Sequence, residues 1–230
     1  MADIIQETER GLRAPDKAYF EALRRRDSQT PGGAFLHLTP TVERAIRTAV
    51  RLHRGQVRKG RGRKVPYISH LLSVAELVAT ETADEEIIVA AIMHDSVEDC
   101  DYTFERLEAD FGRRVAQIVR ETSEDMALKD LPDEKATWEE RKVMYIDHLA
   151  RADRAALLVC CADKLHNLES TALGYQELGF DAIWSRFNAP ADRQLWYYTQ
   201  IADVLKRRLD SPLVGRLLGS LESNARIFRR

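Results

Sequence analysis

The sequence predicts an all-α fold. Beyond about residue 40, apolar residues recur with helical spacing, and turn-forming residues punctuate the stretches between them. No alternating run is long enough to make a sheet, and no internal repeat is present. With 230 residues and 44% hydrophobic content, the chain can bury one sizeable core. We expect residues 1–39 to be an N-terminal accessory segment and residues 40–230 to form one helical domain.

The elements follow in order. Thr39-Pro40 starts the first helix, with Thr39 as N-cap and Pro40 at the first helical position. Val42, Ala45, Ile46, Ala49, Val50 and Leu52 then keep helical spacing until Gly55. A basic loop follows, Arg58-Lys59-Gly60-Arg61-Gly62-Arg63-Lys64. Tyr67-Ile68-Ser69-His70 leads into an amphipathic stretch with Leu71, Val74, Leu77 and Val78 inward. Residues 85–97 are nearly all apolar and should form a helix buried almost all round. Thr103 opens another helix, Gly112 breaks it, and Ala116, Ile118 and Val119 resume the pattern. Residues 123–137 read as a charged loop, and further helices are expected over 138–149, 153–168, 191–209 and 212–227.

Composition excludes several classes. A net charge of −2 argues against a general nucleic-acid binder. The first residues mix acidic and basic groups and lack a signal-peptide profile, and the longest apolar runs are too short to span a bilayer. Cys100, Cys160 and Cys161 have no CxxC spacing, which fits a reduced, cytoplasmic protein without disulfides. Nothing in the sequence sets an oligomeric state.

Four residues suggest chemistry: His70, the pair His94-Asp95, and Asp163. Imidazole and carboxylate together suit a borderline divalent cation such as Mn²⁺, Fe²⁺ or Zn²⁺. On one helix, His94 and Glu98 share a face, as do Asp95 and Asp99, and all four fall within a sector of about 140°. Two of the four can hold a metal while the other two reach the same cavity. Asp163 and Asn167 repeat the four-residue spacing after a second apolar run. Buried carboxylates are costly unless compensated, and a metal would compensate them. Each residue also has a plainer reading as a packed or salt-bridged side chain, so the case rests on their conjunction. His166 lies on a different helical face from Asp163 and reads as structural. The basic loop reads as a solvated turn or as a phosphate clamp, in which Arg binds phosphate oxygens bidentately and Lys acts as a point charge; a nucleic-acid groove is a third reading, which lacks the interleaved aromatics that stacking needs.

Four motifs in order give the chain a family likeness: His53-Arg54-Gly55-Gln56-Val57-Arg58-Lys59, Pro66-Tyr67-Ile68-Ser69-His70, His94-Asp95-Ser96-Val97-Glu98-Asp99 and Ala162-Asp163-Lys164-Leu165-His166-Asn167. The chain resembles HD-domain metal-dependent phosphohydrolases, in particular the RelA/SpoT-type alarmone hydrolases with their small single-domain members. The resemblance covers about residues 40–210. It implies a helical bundle with the metal site among the core helices, and metal ligation by His70, His94, Asp95 and Asp163, usually of Mn²⁺. It implies catalytic roles for Glu98 and Asp99, and substrate contacts from Arg58, Lys59, Asn167, Arg193 and Tyr197. His53 is not a ligand in that family.

The activity so implied is removal of the 3′-pyrophosphate from (p)ppGpp-type nucleotides, giving GDP or GTP and pyrophosphate. Two alternatives stay open: the same site acting on an adenine alarmone or the 2′-phosphate of NADPH, and a non-catalytic alarmone-binding protein. Intact Glu98 and Asp99 speak against the second. The chain departs from the family in three places. Leu71 stands where Pro is usual, residues 122–138 do not match, and the first 40 residues have no counterpart. No synthetase domain follows, so hydrolysis alone is expected.

Overall fold

A computed structural model describes residues 36–59, 64–124 and 136–230. Most of the expected accessory segment, residues 60–63 of the basic loop and residues 125–135 of the charged loop lie outside the described residues. The described residues form helices and no strand. Their one isolated bridge pairs Val57 with Pro66 in antiparallel sense.

Helix α1 is Pro40–Leu52, and the Thr39 hydroxyl caps it by accepting from the Val42 amide at 3.2 Å. Helix α2, Ile68–Ala79, buries His70, Leu71, Val74, Ala75 and Val78. Helix α3, Glu85–Met93, is capped by Asp84, whose carboxylate accepts from the Glu86 amide at 3.1 Å. Every residue from Ile87 to Met93 is buried, as its apolar run predicts.

The single helix expected over 85–97 is instead broken at His94-Asp95, and a short helix α4, Ser96–Asp99, follows. Side chains cause the break. His94 Nδ1 donates to the Ala91 carbonyl at 2.8 Å, and Ser96 Oγ donates to the Met93 carbonyl at 2.6 Å. Both compete for acceptors of the helical ladder, and Asp95 turns out of ideal helix geometry at φ −94°, ψ −1°.

Helices α5, Phe104–Phe111, and α6, Arg113–Thr122, are divided by Gly112 at φ 96°, ψ 160°, a conformation essentially restricted to glycine. Helix α7 is Trp138–Leu149. Helix α8, Arg154–Leu178, runs well past the expected end at residue 168, because small residues (Ser170, Thr171, Ala172 and Gly174) continue its buried face. Gly179, at φ 79°, ends it. A short helix α9, Phe180–Trp184, was not expected; α10, Ala191–Arg208, was. Helix α11, Pro212–Ser223, and a 3-10 turn, Ala225–Phe228, replace the single helix expected over 212–227.

Helix α8 is the axis of the domain and packs against α2, α3, α6, α10 and α11. Its fully buried Leu157, Leu158, Leu165 and Leu168 each contribute roughly 1.5–3 kcal/mol through burial. Helices α2, α3 and α8 touch one another pairwise, so the segments that carry His70, His94-Asp95 and Asp163 meet inside the core. Among the described residues no helix is long and apolar enough to cross a membrane.

Candidate active site

Three core helices bring His70, His94, Asp95 and Asp163 together. His70 sits in the first turn of α2, its amide bonded to the Tyr67 carbonyl at 2.9 Å. His94 and Asp95 occupy the break after α3, and Asp163 projects from the middle of α8. His70 Nε2 lies 3.2 Å from Asp163 Oδ1 and 3.5 Å from Asp95 Oδ2. His94 Nε2 lies 3.2 Å from Asp95 Oδ2 and 3.6 Å from Asp163 Oδ1. Ligand atoms of His70, His94 and Asp163 all fall within 4.8 Å of one another.

The donor set fits a divalent cation. Both Nε2 atoms are buried without a completed hydrogen bond, although carboxylate oxygens stand nearby. The His94 Nδ1–H bond to the Ala91 carbonyl leaves Nε2 as the nitrogen that faces inward, able to ligate once its proton is lost. Burial opposes charge on Asp95 and Asp163. The His94 and His70 imidazoles nevertheless hold Asp95 well below the usual carboxylate range, and Lys164 does the same for Asp163, helped by both histidines. Both carboxylates are therefore ionised, as ligation requires. Lys164 Nζ binds Asp163 Oδ2 at 2.7 Å, leaving Oδ1 directed at the histidines.

The acidic pair divides between two adjoining cavities. Glu98 lines a small cavity of about 150 Å³ with His94, Asp95 and Asp163, and Glu98 Oε1 accepts from the Glu124 amide at 2.9 Å. Asp99 lines a larger one of about 500 Å³ with Arg58, Lys59 and Asn167. Tyr67, Lys142, Lys164, Asn167 and Tyr197 border both. The Tyr67 hydroxyl lies 2.7 Å from Asp95 Oδ2 and 3.2 Å from Asp99 Oδ2. Burial, then those two carboxylates, push its phenol far above the ordinary range, so it remains a proton donor. Its ring stacks on His53 at 4.9 Å, and His53 Nδ1 bonds to Gln56 Oε1 at 2.7 Å. The family's first motif histidine thus supports the site from behind.

The basic loop is closed at its base. Arg58 donates its amide to the Val65 carbonyl at 2.9 Å, and Tyr67 donates its amide to the Gln56 carbonyl at 3.0 Å. This sets Arg58 over the Tyr67 ring, 5.2 Å from its centroid, with Nη2 donating to Asn167 Oδ1. Arg58 Nε is buried without a hydrogen-bond partner. Asn167 also donates to Asp163 Oδ1, so it links the loop to the Asp163 carboxylate. Arg61 and Arg63 lie outside the described residues.

On α10, Tyr197 is buried and borders both cavities. Arg193 is half exposed, pairs with Glu139 at 3.0 Å and does not line either cavity; Gln194 lines the larger one. Several lining residues were not singled out from the sequence. Lys164 stood inside a quoted motif. Lys142, paired with the buried Glu124, and the aromatic Trp138 carry no spacing signal, because only tertiary packing brings α7 to the cleft. His166 does not face the cation position; its Nδ1 lies 2.8 Å from His70 Nδ1. Burial first, and then the neighbouring His70 and Arg58, push it down to about 4, so it is neutral at pH 7.

A family model described as an HD domain matches residues 45–179. The chain belongs to the HD-domain family. It is 40% identical over 132 residues to the guanosine-3′,5′-bis(diphosphate) 3′-pyrophosphohydrolase MESH1 of Danio rerio, covering 56% of this chain and 68% of the relative. The like-named Xenopus tropicalis protein is 38% identical over 126 residues, covering 54% of this chain and 65% of the relative. These alignments thus span about two thirds of the animal relatives' own length. A solved structure titled as a metazoan ortholog of SpoT that hydrolyzes ppGpp superposes with a TM-score of 0.67 at 27% identity, covering 82% of this chain and 98% of that one.

Proposed function

We propose that the chain is a metal-dependent hydrolase that removes the 3′-pyrophosphate from guanosine 3′,5′-bispyrophosphate-type alarmones. The observation that carries this reading is a pair of adjoining cavities that share Tyr67, Lys142, Lys164, Asn167 and Tyr197. A centre of buried, unsatisfied imidazole nitrogens and ionised carboxylates adjoins a cavity lined by Arg58 and Lys59. The animal relatives and the superposed structure are named for this reaction, which supports carrying it over.

His70, His94, Asp95 and Asp163 would hold the cation, and Mn²⁺ is the proposed ion. A bound divalent cation supplies Lewis acidity and lowers the pKa of water. The chain's own groups do the rest. Glu98, in the small cavity, takes a proton from the attacking water as its oxygen bonds to the phosphorus nearest the ribose. The bond from that phosphorus to the 3′-oxygen breaks, and the proton that Glu98 took passes to the departing oxygen by way of Asp99 on the neighbouring cavity wall. Arg58 and Lys59 offset charge on the phosphoryl oxygens. Tyr67 holds Asp95 and Asp99 in register through its hydroxyl. Asn167 and Tyr197 line the path for the nucleoside; Arg193, paired with Glu139, has at most an indirect part. The free cysteines suit the reducing cytoplasm, the compartment we propose.

The test is chromatographic identification of products from a nucleotide panel with Mn²⁺. From ppGpp we expect GDP and intact pyrophosphate. Stepwise orthophosphate from the 5′ end would overturn the orientation. Inert ppGpp with phosphate released from NADPH or an adenine analogue would overturn the substrate.

A further inference from the structure

We infer that His166 is a positioning residue for the metal centre, holding His70 in the one tautomer that can bind a cation. The inference rests on the metal site proposed above and not on the identity of the nucleotide. His70 is fully buried, and its two ring nitrogens have different surroundings. Nε2 faces the Asp163 and Asp95 carboxylates at 3.2 and 3.5 Å, whereas Nδ1 faces His166 Nδ1 at 2.8 Å. The two rings lie 4.9 Å apart at 41°, which lets one nitrogen's hydrogen point at the other's lone pair.

Two neutral imidazole nitrogens at this separation share one hydrogen; they cannot both donate or both accept. A cation on His70 Nε2 requires a lone pair there, and a neutral imidazole then carries its hydrogen on Nδ1. His166 Nδ1 is in place to accept that hydrogen. The partner nitrogen of a metal-bound histidine is commonly satisfied by a carboxylate or a backbone carbonyl. His94 follows that rule through the Ala91 carbonyl. Among the described residues no such oxygen bonds His70 Nδ1, and His166 stands in that place.

The surroundings keep His166 there. It is three residues after Asp163 on α8, so one helix supplies both a ligand and the support of the opposite ligand. Behind it, the His166 ring forms part of the wall of a separate cavity of about 500 Å³, with Ser73, Glu76, Thr80 and Glu169.

The test compares His166→Leu and His166→Asn with the unaltered chain. Mn²⁺ affinity is read by calorimetry without nucleotide, and thermal unfolding of the metal-free proteins serves as the fold control. Leucine removes the acceptor, and affinity should fall roughly 10–100-fold, the usual cost of losing such a partner. Asparagine offers its Oδ1 near the place of the ring Nδ1 and should recover most of that loss. In the unaltered protein loaded with diamagnetic Zn²⁺, ¹⁵N chemical shifts should show His70 protonated on Nδ1 and ligated through Nε2. This measurement needs no variant to fold. Equal affinity in folded His166→Leu, or His70 protonated on Nε2 in the loaded protein, would overturn the inference. Absence of metal binding by the unaltered chain would instead overturn the metal centre itself.

Discussion

The two halves of the cleft are built from opposite materials. The metal side consists of side chains delivered by buried helices, and within it Lys164 pairs with Asp163 at 2.7 Å. The wall around Arg58 comes from a closed loop and from the surfaces of α7 and α10, with cations such as Lys59 outward. The comparison separates two demands. The reaction needs groups fixed to fractions of an ångström, which a packed core provides. Recognition of one nucleotide over another can sit on surfaces that vary without disturbing the core.

Perturbing the two halves should therefore give different kinds of damage. The largest effect is expected at the centre. Asp163→Ala should remove bound metal and turnover together, measured by elemental analysis and product assay on protein whose unfolding curve is intact. Stoichiometric metal retained by this variant would mean that Asp163 is not a ligand.

Glu98→Gln lies at the junction and should be intermediate. It keeps shape and loses basicity, so metal content should persist while kcat falls roughly 10²–10⁴-fold. Near-normal kcat would reduce Glu98 to a support for the Glu124 amide.

Arg58→Ala combined with Lys59→Ala should be the mildest and should show in KM. Losing one charge-assisted contact, worth about 1.5–3 kcal/mol, corresponds to a rise of roughly tenfold or more, with metal affinity little changed. Arg61→Ala and Arg63→Ala should matter less. Equal small effects at all four positions would point to a diffuse field in place of a clamp.

The same division explains what could be read from the sequence. Buried helices announce themselves, because apolar spacing and caps such as Thr39 and Thr103 are local signals. The proposed ligand set could be picked out because each member lies on or directly after such a helix. The break at His94-Asp95 was hidden, because it arises from side chains capturing backbone carbonyls within a run whose apolar spacing stays helical. The second half of α8 was hidden because its buried face changes from large apolar residues to Ser170, Thr171 and Gly174. Lys142 and Glu124 meet only through tertiary packing, and no spacing along the chain brings them together. His166 could be assigned a face but not a partner, since His70 lies 96 positions earlier.

The closure at the base of the basic loop has a consequence for how the chain could change in length. Arg58 is held by the Arg58–Val65 and Tyr67–Gln56 backbone bonds, which lie at the ends of the segment and not within it. Residues inserted between those anchors would lengthen a tether without moving what it is tied to, and doubling such a loop costs only about 0.6 kcal/mol of closure entropy. A reporter peptide or an extra recognition segment grafted after Lys59 should therefore leave the Arg58–Val65 and Tyr67–Gln56 bonds in place.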